Sequence, residues 1–282
     1  MAIDEAETMA ADLASVPDSL PGSSGSHRLI ARGDTVGRYV MITRLGAGTM
    51  GEVWAAYDPE LDRKLAVKLL HPQRRDSGDA RRHQRMLREA QALAKLSHPN
   101  VVAIHDVGTI DGMVWLAMEF VEGETLRAWS KSATRSWQEV LDVMLAAGRG
   151  LVAAHTAGLV HRDVKPENIM VGSGPDGAPR VRVMDFGLVR AELDRASSSD
   201  VDAELASSSG ARPLALELTM SGGVVGTPAY MAPEQQIDPR SDARGDQFGF
   251  CVTLWECLFG QRPFRGDSLP ALASAIARGE IT

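Results

Sequence analysis

Eight consecutive residues, His161-Arg162-Asp163-Val164-Lys165-Pro166-Glu167-Asn168, place carboxylates, an amide and two cations in one short stretch. Asp163 can accept a proton from an attacking hydroxyl. Asn168 can offer its amide oxygen to a divalent cation. Lys165 can neutralise charge on a phosphoryl group in transfer. The plainer reading is a polar loop between a helix and a strand, with its charges in water. Three companions weigh against it: Asp185-Phe186-Gly187 follows at short range, and Gly46-Ala47-Gly48-Thr49-Met50-Gly51 and the pair Val67-Lys68 precede it.

The elements that must position these groups are readable in outline. Tyr39–Leu45 and Val53–Tyr57 have strand character, so the glycine stretch between them joins two strands. Gly46, Gly48 and Gly51 let the backbone approach a phosphate and aim N–H groups at it. A dinucleotide fingerprint would need a helix directly after the glycines, and none is signalled. Lys68 is the one charge in the apolar run Leu65–Leu70, and a lysine there needs a partner. Asp79–Leu96 has helical spacing with a stripe of Met86, Leu87, Ala90, Leu93 and Ala94. Glu89 lies on that helix and could pair with Arg85 at its surface. Val101–Val107 and Met113–Met118 form a hairpin around Asp111-Gly112. Trp137–Ala157 is a long amphipathic helix ended by Gly158, and it delivers the chain to the Asp163 loop. Asn168–Val171 and Val181–Met184 form a second hairpin. Asp246–Phe259 is a buried helix with Asp246 at its start, as a cap or dipole partner, and a last helix begins near Leu269.

Composition sets the bounds. The 282 residues suit one large domain or two small ones. A net charge of −7 with no basic block excludes a general nucleic-acid binder. The two cysteines, Cys251 and Cys257, lie in an apolar stretch and are expected as buried thiols in a reducing, cytoplasmic compartment. No apolar run reaches the ~18 residues of a membrane span, and anchoring beyond residue 282 stays open. Residues 1–37 are rich in Ala, Asp, Ser, Pro and Gly and are expected as a disordered tail, a weak helix over Glu5–Ala14 being the alternative. Leu188–Val225, with serine triplets at 197–199 and 207–209, is expected to be a long mobile segment.

The ordered set of glycine loop, Ala66-Val67-Lys68, Glu89, His161-Arg162-Asp163, Lys165-Pro166-Glu167-Asn168, Asp185-Phe186-Gly187, Gly226–Tyr230, Ala232-Pro233-Glu234 and Asp246 resembles the protein kinases. Lys165 and Thr227 resemble the serine/threonine subclass, and Tyr230–Gln235 and Asp246–Cys251 are similar to bacterial, Hanks-type enzymes. The resemblance implies an α+β, two-lobed fold. It has a small antiparallel β lobe with one key helix over 38–118, a hinge over 119–124 and a mainly helical large lobe over 125–282. The activation segment runs over 185–234.

The implied reaction is transfer of the ATP γ-phosphate to Ser or Thr hydroxyls of proteins, including other copies of itself in trans. Gly46, Ala47, Gly48 and Gly51 would cover the phosphates, and Lys68 would hold them, fixed by Glu89. Val53, Ala66 and Met170 would enclose adenine. Glu119 and Val121 would bond it through their backbone, with Met118 behind. Asn168 and Asp185 would bind Mg²⁺. Asp163 would be the base, Lys165 would steady the phosphoryl charge, and Asp246 would hold the catalytic-loop backbone. Leu93, Ile104, His161 and Phe186 would form an apolar column. Arg162 and Arg190 would receive a phosphate on Thr219 or Ser221; a carboxylate such as Glu217 is the plainer partner for Arg162.

Kinase domains of this type continue for further helices, one of which supplies an arginine to the residue matching Glu234, so the large lobe is C-terminally short. The competing reading is therefore a truncated, catalytically silent module that binds nucleotide or protein. A small-molecule kinase is disfavoured by the Gly226–Tyr230 and Ala232–Glu234 segments, which belong to peptide-acting enzymes.

Overall fold

The structure, a computed structural model, describes residues 30–48, 51–70, 79–174, 177–186, 227–237 and 242–282. Six antiparallel strands build the first sheet: β1 (Thr35–Val36), β2 (Tyr39–Gly48), β3 (Gly51–Asp58), β4 (Arg63–Leu70), β5 (Ile104–Ile110) and β6 (Met113–Glu119). Their order is β1-β2-β3-β4-β6-β5. The inner strand β6 carries the longest buried run, and in β4 Lys68 interrupts an otherwise buried one. The β5–β6 turn falls on Asp111 and Gly112, both left-handed at φ 48° and 78°, which matches the twist of a two-residue hairpin. Helix α1 (Asp79–Ala94) lays Met86, Ala90 and Leu93 against Leu70, Val102, Val114 and Leu116.

The tail expected to reach residue 37 ends sooner. Thr35 and Val36 pair with Val40 and Tyr39, Val36 and Tyr39 are fully buried, and Gly37 turns the chain at φ 60°. One apolar residue suffices because the chain folds straight back on its neighbour strand. Residues 1–29 lie outside the described residues.

The helical part opens with β7 (Glu124–Thr125), α2 (Leu126–Ser132) and α3 (Trp137–Thr156). A capping box starts α3: Ser136 accepts the Glu139 N–H at 3.2 Å, and the Glu139 carboxylate accepts the Ser136 N–H at 2.8 Å. Gly158 follows its end at φ 76°. After the 3₁₀ turn Pro166–Asn168 come β8 (Ile169–Ser173) and β9 (Pro179–Val183), forming the sheet β7-β8-β9. Further on lie the 3₁₀ turn Thr227–Tyr230, α4 (Pro233–Ile237), α5 (Ala243–Phe259) and α6 (Leu269–Arg278). Val140, Val143, Met144 and Leu151 of α3 pack on Ile169, Val171, Val181 and Val183, with Phe250 and Leu254 of α5 against the same cluster.

Two details of α5 differ from expectation. Its cap is Asp242, which accepts the Arg244 N–H at 2.8 Å, so Asp246 is left for another task. Cys251 is exposed and Cys257 half-buried, and neither is in a disulfide. The helix buries only one side, that of Gly245, Asp246, Gly249, Val252 and Thr253. Among the described residues no helix is long and apolar enough to cross a membrane.

Gly249 sets how closely α5 meets the segment that carries Val164. A Cβ there would stand 2.8 Å from the Val164 carbonyl oxygen and 3.2 Å from that of Tyr230. Gly249→Ala should therefore push both backbones away and lower the unfolding free energy by about 1–3 kcal/mol, the usual cost of overpacking. Urea unfolding followed by tryptophan fluorescence checks this; unchanged stability would mean that the contact is not tight.

Candidate active site

Asp246 organises the site from beneath. Its Oδ2 accepts the His161 N–H at 2.7 Å and its Oδ1 the Arg162 N–H at 2.6 Å. The His155 Nε2 lies 2.7 Å from Oδ2. Asp246 is 1% exposed, so these partners are what make its charge tolerable. Arg162 sits in the left-handed region at φ 64°, a conformation that costs a non-glycine residue about 1–3 kcal/mol. The charge-assisted bond from its own N–H offsets that cost.

The reactive side chains then follow in order. The Asp163 N–H donates to His161 Nδ1 at 3.3 Å, and His161 Nε2 faces the Met184 carbonyl oxygen at 2.9 Å. These two contacts fit the tautomer with the proton on Nε2. Lys165 Nζ donates to Asp163 Oδ2 at 2.7 Å. Asn168 Nδ2 donates to the Asp163 carbonyl oxygen at 2.8 Å and to Oδ2 at 3.1 Å. Across the cleft, Asp185 stands at φ 61° and accepts from Lys68 Nζ at 2.8 Å. Phe186 stacks on His161 with ring centroids 4.6 Å apart. Leu93, Ile104, Leu116, Met118 and Phe186 line one small cavity with Lys68 and Asp185. The expected apolar column is thus brought together from α1, β5, Phe186 and His161.

One expected pair is absent. Lys68 bonds Asp185 and not Glu89; Glu89 instead accepts from Arg162 Nη1 at 3.3 Å. Both partners of that second pair are largely buried, with side chains 18% and 12% exposed. The reason is placement: α1 carries Glu89 next to the catalytic loop, where the left-handed Arg162 presents its guanidinium.

The remaining nucleotide-pocket residues divide by element. Gly48 pairs with Gly51 across the end of the β2–β3 hairpin, Ala47 with Glu52 and Gly46 with Val53, so the glycine stretch does join two strands. Gly46 and Gly48 face open space, as a phosphate approach requires. Gly51 has a different reason: at φ 144° its Cβ would collide with the Leu69 carbonyl oxygen at 1.9 Å. Val53 lies opposite Lys68, and Ala66, Val53, Met118 and Val121 belong to one apolar cluster. Met170 is half-buried on β8. The Glu119 backbone N–H is held by the Ala103 carbonyl at 2.8 Å. Arg190, Thr219 and Ser221 lie outside the described residues, as does Gly187.

Sequence reasoning missed two networks. Arg180 and Arg182 of β9 both bond the Glu119 carboxylate, the latter at 3.1 Å, and so tie the end of β6 to the strand that leads into Asp185. Arg127 of α2 bonds Glu167, Glu256 and the Tyr230 hydroxyl. Its pull from burial is overcome by the bonds to Glu256 and Glu167, which raise its already high pKa further. No local pattern could have found that cluster, because its members are 26 to 129 residues apart.

Residues 39–280 match the profile of the protein kinase domain. The chain is 36% identical over 243 residues to the serine/threonine-protein kinase PknA of Mycobacterium tuberculosis, covering 84% of this chain and 50% of that protein. It is 35% identical over 240 residues to PknF of the same organism, covering 84% and 46%. The crystal structure of a double mutant of the Mycobacterium tuberculosis PknI kinase domain superposes with a TM-score of 0.61 at 27% identity, covering 89% of this chain and 87% of that one. The chain spans about half the length of the curated relatives it matches.

Asp246→Asn gives the key measurement on this geometry. An amide offers one acceptor oxygen where the carboxylate serves two backbone N–H groups on two oxygens, so one buried donor is left without an acceptor. The unfolding free energy should fall by about 1–3 kcal/mol. Hydrogen exchange at His161 and Arg162 should accelerate more than exchange within α3; equal acceleration would show that the carboxylate does not hold the loop.

Proposed function

The chain belongs to the protein kinase family, on its bacterial Hanks-type branch, and from that premise we propose that it is a serine/threonine protein kinase. It transfers the ATP γ-phosphate to Ser and Thr hydroxyls of proteins and phosphorylates copies of itself in trans, in the cytoplasm. The observation that carries this reading is the convergence of two clusters, Asp163–Lys165–Asn168 and Lys68–Asp185. They are bridged by the contact of His161 Nε2 with the Met184 carbonyl oxygen.

Each residue then has a task set by its chemistry. Asp163 takes the proton of the acceptor hydroxyl as the oxygen forms its bond to the γ-phosphorus; the bond to the β-phosphate oxygen breaks and ADP leaves. Lys165, already 2.7 Å from Asp163 Oδ2, balances the charge beside that base. Lys68 presents its ammonium to the α- and β-phosphates, with Gly46, Ala47, Gly48 and Gly51 over them. Val53, Ala66 and Met170 enclose the base, and the backbone of Glu119 and Val121 orients it. Asp185 and Asn168 are hard oxygen donors, a set that fits Mg²⁺ held by one carboxylate, an amide and substrate phosphates. Mg²⁺ in that place supplies neutralisation of phosphate charge.

The Arg162–Glu89 pair points to how the enzyme is switched. A phosphate on Thr219 or Ser221 carries about −2 charge. With Arg190 it would compete with Glu89 for Arg162, and Glu89 would then turn toward Lys68.

Two experiments test these assignments. Lys68→Met, Asp185→Ala and Asp163→Asn should each lower transfer from labelled ATP to a generic protein substrate by at least ~10²-fold without unfolding the chain. Labelling at the wild-type rate by any of them removes that residue from the mechanism. Separately, Thr219→Ala/Ser221→Ala and Arg162→Ala should each lower turnover, and the triple variant should be little worse than either, since all break one coupling. Additive losses, or active enzyme carrying phosphate at neither residue, would end the switch while leaving the kinase reading intact.

A further inference from the structure

Two arginines of β9 converge on the last residue of β6. Arg180 Nη2 donates to Glu119 Oε1, and Arg182 Nε donates to both Glu119 carboxylate oxygens, at 3.3 and 3.1 Å. The Ala103 N–H reaches Oε2 at 3.4 Å, and the Glu119 N–H donates to the Ala103 carbonyl oxygen at 2.8 Å. The side chains of Glu119 and Arg182 are 16% and 13% exposed, against 48% for Arg180. The Arg182 pair is therefore the less screened of the two.

The plain reading is a staple between β6 and β9. Yet β9 is already fastened by backbone. The Val102 N–H donates to the Val183 carbonyl oxygen and the Val183 N–H to that of Asn100, both at 2.9 Å. Asn100 Nδ2 donates to the Val181 carbonyl oxygen at 3.1 Å. What the arginines add is a hold on the Glu119 side chain. With its N–H held by Ala103 and its carboxylate by β9, Glu119 has little freedom left, and the backbone that follows it starts from a fixed point. Arg182 also stands opposite Met170 in the β8–β9 pairing, and cross-strand partners share a face. On the proposed function, Met170 would lie against adenine and the Glu119 backbone at its edge, with Arg182 joining the two.

We propose that Arg182 is a positioning residue for the nucleotide base: through the Glu119 carboxylate it pre-orients the backbone that bonds adenine. This rests on the protein kinase reading and adds to it a residue that acts through another rather than on the nucleotide itself. A preset backbone removes an ordering cost that binding would otherwise carry. The gain belongs to the base end of the nucleotide, so it is independent of the phosphates and of the transfer step.

The experiment measures dissociation constants for metal-free ATP and for adenosine by isothermal titration, with wild type, Arg182→Ala and Glu119→Gln. The two substitutions change charge in opposite senses. Positioning predicts that each weakens both ligands alike, by about threefold to tenfold. A field acting on the phosphates would instead weaken ATP in Arg182→Ala, strengthen it in Glu119→Gln and leave adenosine unchanged. That pattern overturns the proposal, as do variants that bind both ligands like wild type, the mark of a staple only. In turnover, KM for ATP should rise by the same factor while kcat stays within about twofold; a fall in kcat with KM unchanged overturns the proposal. If a single variant does not fold, Glu119→Gln/Arg182→Ala, which buries no unmatched carboxylate, takes its place with the same expected loss. A wild type that binds neither ligand overturns the nucleotide reading and this proposal with it, whereas a binding wild type with unchanged variants overturns the proposal alone.

Discussion

The grip of Asp246 on the backbone of His161 and Arg162 is the constraint on which the site depends. Two N–H groups and an imidazole converge on one buried carboxylate. Loop backbone that is buried must find acceptors, and here no strand ladder supplies them. The carboxylate does so from a helix, so the loop inherits the rigidity of α5. That anchoring allows Arg162 its left-handed conformation and points Asp163, Lys165 and Asn168 the same way. Gly249, one helical turn further along the buried side, completes the arrangement by letting Val164 and Tyr230 approach the same helix. Catalysis by positioning needs such a fixed floor, because small displacements of the base are costly.

Above that floor lie two ion pairs that the proposed switch would exchange. Lys68 is held by Asp185, and Arg162 by Glu89. Moving Glu89 between two cations requires a shift of α1 but little change in how much charge is buried, since each arrangement leaves the carboxylate matched. The α1 packing is compatible with this. Its apolar face meets the sheet through Met86, Ala90 and Leu93, while Glu89 lies between that face and the catalytic loop. A device of this kind needs two arrangements of similar energy, the second of which would take a phosphate at Arg162 in place of Glu89.

Much of the fold could be read from local pattern. The Asp111-Gly112 turn, the helix ended by Gly158 and the hairpin flanking residues 172–180 all rest on backbone chemistry that acts within a few residues. The candidate site residues were legible as types at fixed spacings, and the structure brings Lys68, Asp163, Asn168 and Asp185 to one cleft. What was not legible depends on distance or on choice between equals. Spacing does not say which of two cations Glu89 takes. Gly51 reads as a phosphate-loop glycine, yet its immediate constraint is the Leu69 carbonyl of the neighbouring strand. Val36 stands alone among small polar residues, so its burial depends on a strand that begins three residues later. The Arg127 cluster joins residues on four elements, none of which signals the others.

A chain with net charge −7 concentrates cations where phosphates must go, and each is matched by a carboxylate of its own. Lys68 meets Asp185, Lys165 meets Asp163, Arg162 meets Glu89, and Arg127 meets Glu167 and Glu256. Burying a lone cation costs several kcal/mol after relaxation, and these pairings keep that cost from falling on the fold. On the proposed function, ligand binding would be a partner exchange at Lys68 and at Arg162. Arg127 differs because its two carboxylates and the Tyr230 hydroxyl engage all three of its guanidinium nitrogens at once.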